Sequence, residues 1–179
     1  MSSKMIRVAL IGVGGVCAQV HYPSFSRIPG VKIVGICDPD ASLREKRSKE
    51  WRVEACFNDV DDLLREIQPE AVVIATPNCT HKSLILKAFE AGSHVLCEKP
   101  LGMNLQETKE ILAAAQKTKL WNMTAFTYRF VPAMNYIRYL VHTGALGEIR
   151  HARFQRLQDW GEQAIGWRQY YEQAGSGEL

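Results

Sequence analysis

Long apolar runs, a strong charge of either sign, a cysteine framework and internal repeats are all missing from this 179-residue chain. No stretch approaches the ~18 consecutive apolar residues of a membrane helix, and no charged-then-apolar leader opens the chain, so the expected setting is cytoplasmic. A formal net charge of +3 is too small to build the basic field that nucleic acid requires. Arg44, Lys46, Arg47 and Lys49 cluster, but Glu45 and Glu50 interleave with them, which reads as a solvated helix face. Five cysteines, at 17, 37, 56, 79 and 97, are odd in number, widely spaced and mostly set in apolar patterns. They read as reduced core residues, with neither a disulfide framework nor a metal site expected.

What is present is a soluble globular composition, 46% apolar and 23% charged, at a length that suggests one domain and a remainder. Strand and helix patterns alternate from the start, the signature of βαβ units. Strands are expected near 6–11, 31–37, 54–57, 71–75, 93–97 and 121–125, with helices near 15–27, 41–50, 59–66, 79–91 and 104–118. Asn104 with Glu107 three residues on resembles a capping box, and Pro23 should kink or restart the first helix. The fold class is therefore α/β, a doubly wound parallel sheet over 1–125, followed by the start of an α+β domain over 126–179. That second part opens with a helical pattern from Pro132 to Thr143, breaks at Gly144 and continues as a long strand from Gly147 to Leu157.

The chemistry-bearing pattern begins in the first unit, where Val8-Ala-Leu-Ile-Gly12-Val-Gly14-Gly15-Val16-Cys17 runs from an apolar strand into a helix. Gly12 and Gly14 let the backbone turn sharply and approach a pyrophosphate at the helix N-terminus. Cys17 stands where the usual spacing has its third glycine. Asp38 closes the next apolar run, at about the ~20-residue distance expected of a residue that binds the adenosine ribose and repels a 2′-phosphate. This favours NAD, with NADP possible. Asp38-Pro39-Asp40 also fits an ordinary turn and helix cap, and both readings stand at this stage.

Ligands of doubly wound sheets sit beyond the carboxyl ends of the strands. Two motifs fall there. Thr76-Pro77-Asn78-Cys79-Thr80-His81 follows the fourth strand, and on its own fits a proline turn with a helix cap. Glu98-Lys99-Pro100 follows the fifth, where Pro100 restricts Lys99 to extended geometry and permits a cis peptide. A lysine held rigidly and buried there would hydrogen-bond a substrate hydroxyl and stabilise the developing alkoxide as hydride leaves.

Taken together with His21, Pro23, Ala91-Gly92-Ser93-His94-Val95, Tyr128-Arg129-Phe130, Gly144 to Ile149 and Trp167-Arg168, these motifs resemble the Gfo/Idh/MocA oxidoreductase family (glucose-fructose oxidoreductase / inositol 2-dehydrogenase) along essentially the whole chain. The resemblance implies a Rossmann NAD(P)-binding fold with cofactor along Gly12, Gly14, Gly15, Val16, Asp38, Thr76, Pro77, Asn78, His81, Glu98, Lys99 and Arg129. It places Asn78 and His81 near the nicotinamide ribose, makes Lys99 the catalytic lysine, and brings Trp167 and Arg168 to the cofactor from the second domain. Simple packing of an aromatic and a snorkelling arginine accounts equally well for that last pair.

The family's second domain also supplies an Asp and a His after a glycine-rich stretch resembling Ala174-Gly-Ser-Gly177, and no residue here matches that pair. The chain thus reads as a fragment of a longer enzyme. The function the resemblance implies is hydride transfer between nicotinamide and a carbinol carbon of a sugar, cyclitol or related polyol, with the full-length protein a homo-oligomer. The alternative is a non-catalytic, NAD-responsive regulatory or binding protein on the same fold, since fold alone does not separate the two.

Overall fold

The computed structural model describes residues 5–155, 157 and 166–175. Its first compact unit groups Met1–Ala125 with Trp167–Leu179, and its second comprises Phe126–Gly166. The first unit is built on six strands: β1 (Ile6–Ile11), β2 (Val31–Cys37), β3 (Cys56–Phe57), β4 (Ala71–Ile74), β5 (His94–Cys97) and β6 (Asn122–Thr124). All pairings are parallel, in the order β3-β2-β1-β4-β5-β6. This is the doubly wound Rossmann order, whose direction of winding reverses between β1 and β4.

The central strands are apolar on both faces because both are covered, whereas the edge strand β6 (Asn-Met-Thr) is largely exposed. Alternation sends Ala9 and Ile11 into one layer with Leu63, Val72, Ile74, Ile85, Phe89 and Ile111, and sends Val8 and Leu10 into the other with Val13, Cys17, Ile36, Trp51 and Val73. The first layer is closed by α3 (Val60–Ile67), α4 (His81–Glu90) and α5 (Leu105–Lys117); the second draws on α1 (Tyr22–Phe25) and α2 (Ala41–Trp51). Tyr22 stacks on Trp51 with ring centroids 4.3 Å apart, pinning α1 to the end of α2.

Helix starts follow local chemistry. Asp40 caps α2 by accepting from Leu43 N–H, and Asp59 caps α3 by accepting from Asp61 and Asp62. Asn104 caps α5 through Glu107 N–H, while Glu107 reaches back to Met103 N–H at 2.9 Å, one residue before the cap. The helix after β1 is interrupted near Pro23, as expected, and in a particular way: a π-helical turn, Cys17–His21, runs straight into α1. Pro23 has no N–H and its ring crowds the carbonyl four residues back, and the widened turn just before it relieves both problems.

The second unit holds α6 (Pro132–His142) after a 3₁₀ turn at Thr127–Phe130. The expected strand from Gly147 to Leu157 is corrected: the described residues of that segment are not in a strand. A strand needs a hydrogen-bonded neighbour, and every described strand belongs to the sheet of the first unit. Nor does 126–179 form one contiguous unit, because Trp167–Leu179 groups with the first, where α7 (Tyr171–Ala174) lies.

Candidate functional site

The end of β1 is closed by Gly12, at φ +82°. A Cβ there would sit 2.6 Å from Ala75 O and 2.7 Å from Thr76 Cγ2, so this glycine is required both by backbone conformation and by the close approach of the β4 end. Gly14 and Gly15 are different. Neither has a positive φ, and a Cβ on either would meet no atom within 4 Å. Internal packing gives no reason for glycine at these two positions, whereas the approach of an external group does.

That approach leads to backbone donors. The first helical bond runs from Ala18 N–H to Gly14 C=O at 3.0 Å, so Gly15, Val16 and Cys17 have no intrahelical acceptor for their N–H groups. A Gly-rich turn leading to such a helix start is the arrangement that binds a pyrophosphate, and the loop fits a dinucleotide.

Asp38 lies half-buried at the end of β2, beside this loop. Its Oδ2 accepts from Val13 N–H at 2.9 Å and its Oδ1 from Asp40 N–H at 3.0 Å. The capping role weighed for the Asp38-Pro39-Asp40 segment falls to Asp40 alone. Each oxygen of Asp38 retains a lone pair for a further donor. Arg44, on the first turn of α2, donates to Asp38 O at 2.5 Å, and Arg47 Nε to Val13 O at 3.2 Å, so side chains from α2 brace both sides of the loop.

Across the switch point, Thr76, Pro77 and Asn78 follow β4. Thr80 Oγ1 donates within the turn, 2.7 Å from Thr76 Oγ1 and 2.8 Å from Pro77 O. His81 is fully buried, its Nδ1 2.8 Å from Pro100 O and its Nε2 3.0 Å from Thr76 O. It therefore sits between the β4 turn and the β5 turn with a protein carbonyl facing each ring nitrogen, and the nitrogen that carries the proton donates to one of them. Asn78 is also buried, and its Nδ2 donates to Ala174 O at 2.9 Å. The terminal segment thus packs on the β4 turn, with Gly175 close against Met103 O.

Glu98 and Lys99 follow β5, and the Lys99–Pro100 peptide is cis. Lys99 is exposed, which corrects the expectation of burial: it extends from the turn and not from the apolar strand before it. The Glu98 carboxylate accepts from His21 Nε2 at 2.8 Å and from Lys99 N–H at 3.2 Å. Burial alone would raise the Glu98 carboxyl, but the His21 bond, the Lys99 N–H and the charges of His21 and Lys99 outweigh it and hold it below the usual range. Sequence reasoning placed His21 only as part of a motif; its tie to Glu98, 77 positions away, has no local signal.

Trp167 and Arg168 lie on a 3₁₀ turn of the first unit, the guanidinium 4.6 Å from the indole centroid. Arg129 is exposed on the Thr127–Phe130 turn of the second unit. The cysteines behave largely as expected: Cys17, Cys37 and Cys97 are buried, and burial pushes the Cys17 and Cys37 thiols up to about 12. Cys79 is exposed, on the turn after β4.

This arrangement has counterparts. Residues 6–126 match an oxidoreductase family described by its NAD-binding Rossmann fold. The chain is 32% identical over 149 residues to the D-glucoside 3-dehydrogenase of Escherichia coli, covering 83% of this chain and 42% of that protein. It is 30% identical to the levoglucosan dehydrogenase of Pseudarthrobacter phenanthrenivorans, covering 97% and 47% respectively. Among solved structures, scyllo-inositol dehydrogenase from Lactobacillus casei with bound NAD(H) and scyllo-inositol superposes with a TM-score of 0.76 at 28% identity, covering 81% of this chain and 43% of that one. The chain spans less than half the length of these relatives.

Proposed function

Because the chain belongs to the Gfo/Idh/MocA family of NAD-binding oxidoreductases, we propose that it is the cofactor-binding part of a cytoplasmic dehydrogenase acting on a sugar, cyclitol or related polyol. The observation that carries this reading is the pairing of two glycines with no internal reason to be glycine and a helix start with unclaimed N–H groups, next to an acidic strand end. Gly14 and Gly15 admit the pyrophosphate to the N–H groups of Gly15 and Val16. Asp38 offers its remaining lone pairs to the ribose hydroxyls and disfavours a 2′-phosphate, which sets NAD ahead of NADP.

When bound, the nicotinamide accepts or returns the hydride. Lys99, exposed beyond β5, binds the substrate hydroxyl and stabilises charge on its oxygen. Thr76 and Pro77 form the wall on the β4 side, held by His81. Asn78, Trp167 and Arg168 border the nicotinamide end, while Arg129 and the rest of 126–166 begin the substrate and oligomerisation domain. The substrate class rests on the relatives, whose names refer to a glucoside, an anhydro sugar and an inositol.

Fluorescence titration with NADH and NADPH tests this. NADH is expected to bind more tightly, and Asp38→Ala to cost about 1.5 to 3 kcal/mol of that affinity through the lost charge-assisted bonds. Tighter binding of NADPH, or no response to either nucleotide, overturns the assignment. In a protein of the relatives' full length, Lys99→Ala should lower kcat by roughly 10² to 10⁴ while leaving NADH affinity nearly unchanged.

A further inference from the structure

The π-turn at Cys17–His21 adds a residue to one turn of the helix that leaves the glycine loop. An added residue rotates everything after it by about 100° around the helix axis. His21 is the last residue of the turn, only 4% exposed, and its Nε2 lies 2.8 Å from Glu98 Oε1. Because a carboxylate only accepts, His21 donates. The second oxygen of Glu98 accepts the N–H of Lys99 at 3.2 Å. A chain of two hydrogen bonds thereby joins the helix behind Gly14 and Gly15 to the peptide that carries the Lys99 side chain, across 77 positions of sequence.

We propose that His21 is a positioning residue for Lys99: it clamps Glu98, and through Glu98 fixes the lysine-bearing turn to the helix that begins at the glycine loop. The inference rests on the reading of Lys99 as the group beside the nicotinamide. His21 itself touches no substrate. Its Nε2 bond ends at a carboxylate only 15% exposed, so the link is sheltered from competing water. The titratable groups acting on that carboxylate are His21 from the helix and Lys99 on its own turn. The Glu98 charge in turn adds to the burial that pushes the Cys97 thiol up.

The test follows the Glu98 carboxyl carbon and the Lys99 amide proton by NMR through an acid titration of the 179-residue chain, in the natural protein, His21→Gln and His21→Leu. Gln places an amide donor near the position of Nε2; Leu removes the donor at similar bulk. In the natural protein Glu98 should titrate below exposed glutamates, with the Lys99 amide shift following the same midpoint. In His21→Leu the midpoint should move up and the Lys99 response should be lost, with His21→Gln restoring the response and part of the midpoint. An unchanged midpoint in folded His21→Leu overturns the clamp, as does a Gln variant no closer to the natural protein than Leu. Should Leu prevent folding, the natural protein alone decides: a Glu98 midpoint at or above that of exposed glutamates overturns the proposal. Adding NADH separates this from the functional reading, since a chain that shows the clamp and binds no NADH retains the first and loses the second.

Discussion

The two units of this molecule carry apolar residues in equally regular patterns and use them in opposite ways. In β1, Val8, Ala9, Leu10 and Ile11 are at most 1% exposed, enclosed by helices on both faces of the sheet. In α6 no residue is buried, and Tyr136 and Tyr139 are 62% and 61% exposed although they sit on an amphipathic helix. Periodicity specifies which side of an element seeks cover. It does not supply the cover. The glycine loop belongs to the enclosed unit, where Asp38, Arg44 and Arg47 hold each side of the turn.

The sharpest way to break this contrast is to truncate one residue in each unit. Leu10→Ala should lower stability by about 2 to 5 kcal/mol, as a fully enclosed leucine does, while Ile137→Ala on α6 should stay within about 0.5 kcal/mol. Urea unfolding of both variants checks this, and a comparable loss in the two would show that α6 is covered after all. Within the first unit, Gly12→Ala should cost roughly 1 to 3 kcal/mol from strain and contact with Ala75 O. Gly14→Ala should leave the urea midpoint in place yet weaken NADH binding, because the space it fills lies outside the packed interior. Loss of stability without loss of binding at Gly14 would undo the distinction.

Smaller still, Asp40→Ala should cost about 1 kcal/mol as a lost helix cap and leave NADH affinity alone, in contrast to Asp38→Ala. The least effect concerns acid. Glu98 is held below its ordinary range when folded, so its contribution is present above the unfolded value of ~4.3 and is lost as pH falls through the lower folded value. Urea midpoints measured from neutral to acid pH should fall less steeply in Glu98→Gln than in the natural protein.

The sheet was legible because its central strands are short apolar runs bounded by turn residues, and the parallel arrangement follows from the alternation with helices. The glycine loop and the strand ends were legible for the same reason. What escaped were features set by tertiary contact. The extra residue in the Cys17–His21 turn shifts the helical phase, but only the four residues of α1 follow it, too few for the shift to show in the sequence pattern, and only Pro23 hinted at it. Asp38 and Asp40 are chemically alike, and which one caps α2 is decided by backbone position. Arg, Gln and apolar residues alternate from Gly147 to Leu157 as a strand requires, but alternation without a pairing partner leaves that segment outside any described strand. The exposure of Lys99 is set by the turn after β5, which carries it out to solvent.

The bareness of Gly14 and Gly15 bears on how such a site can change over generations. A phosphate held by main-chain amides is held by groups that every substitution leaves in place, so mutation there can obstruct the ligand but has little means of improving its grip. On the proposed reading, selection for a different nucleotide must therefore work at the margins of the loop, at and around Asp38, where a side chain rather than backbone would meet the adenosine. Homologues that have switched cofactor should have kept the two glycines and altered those margins.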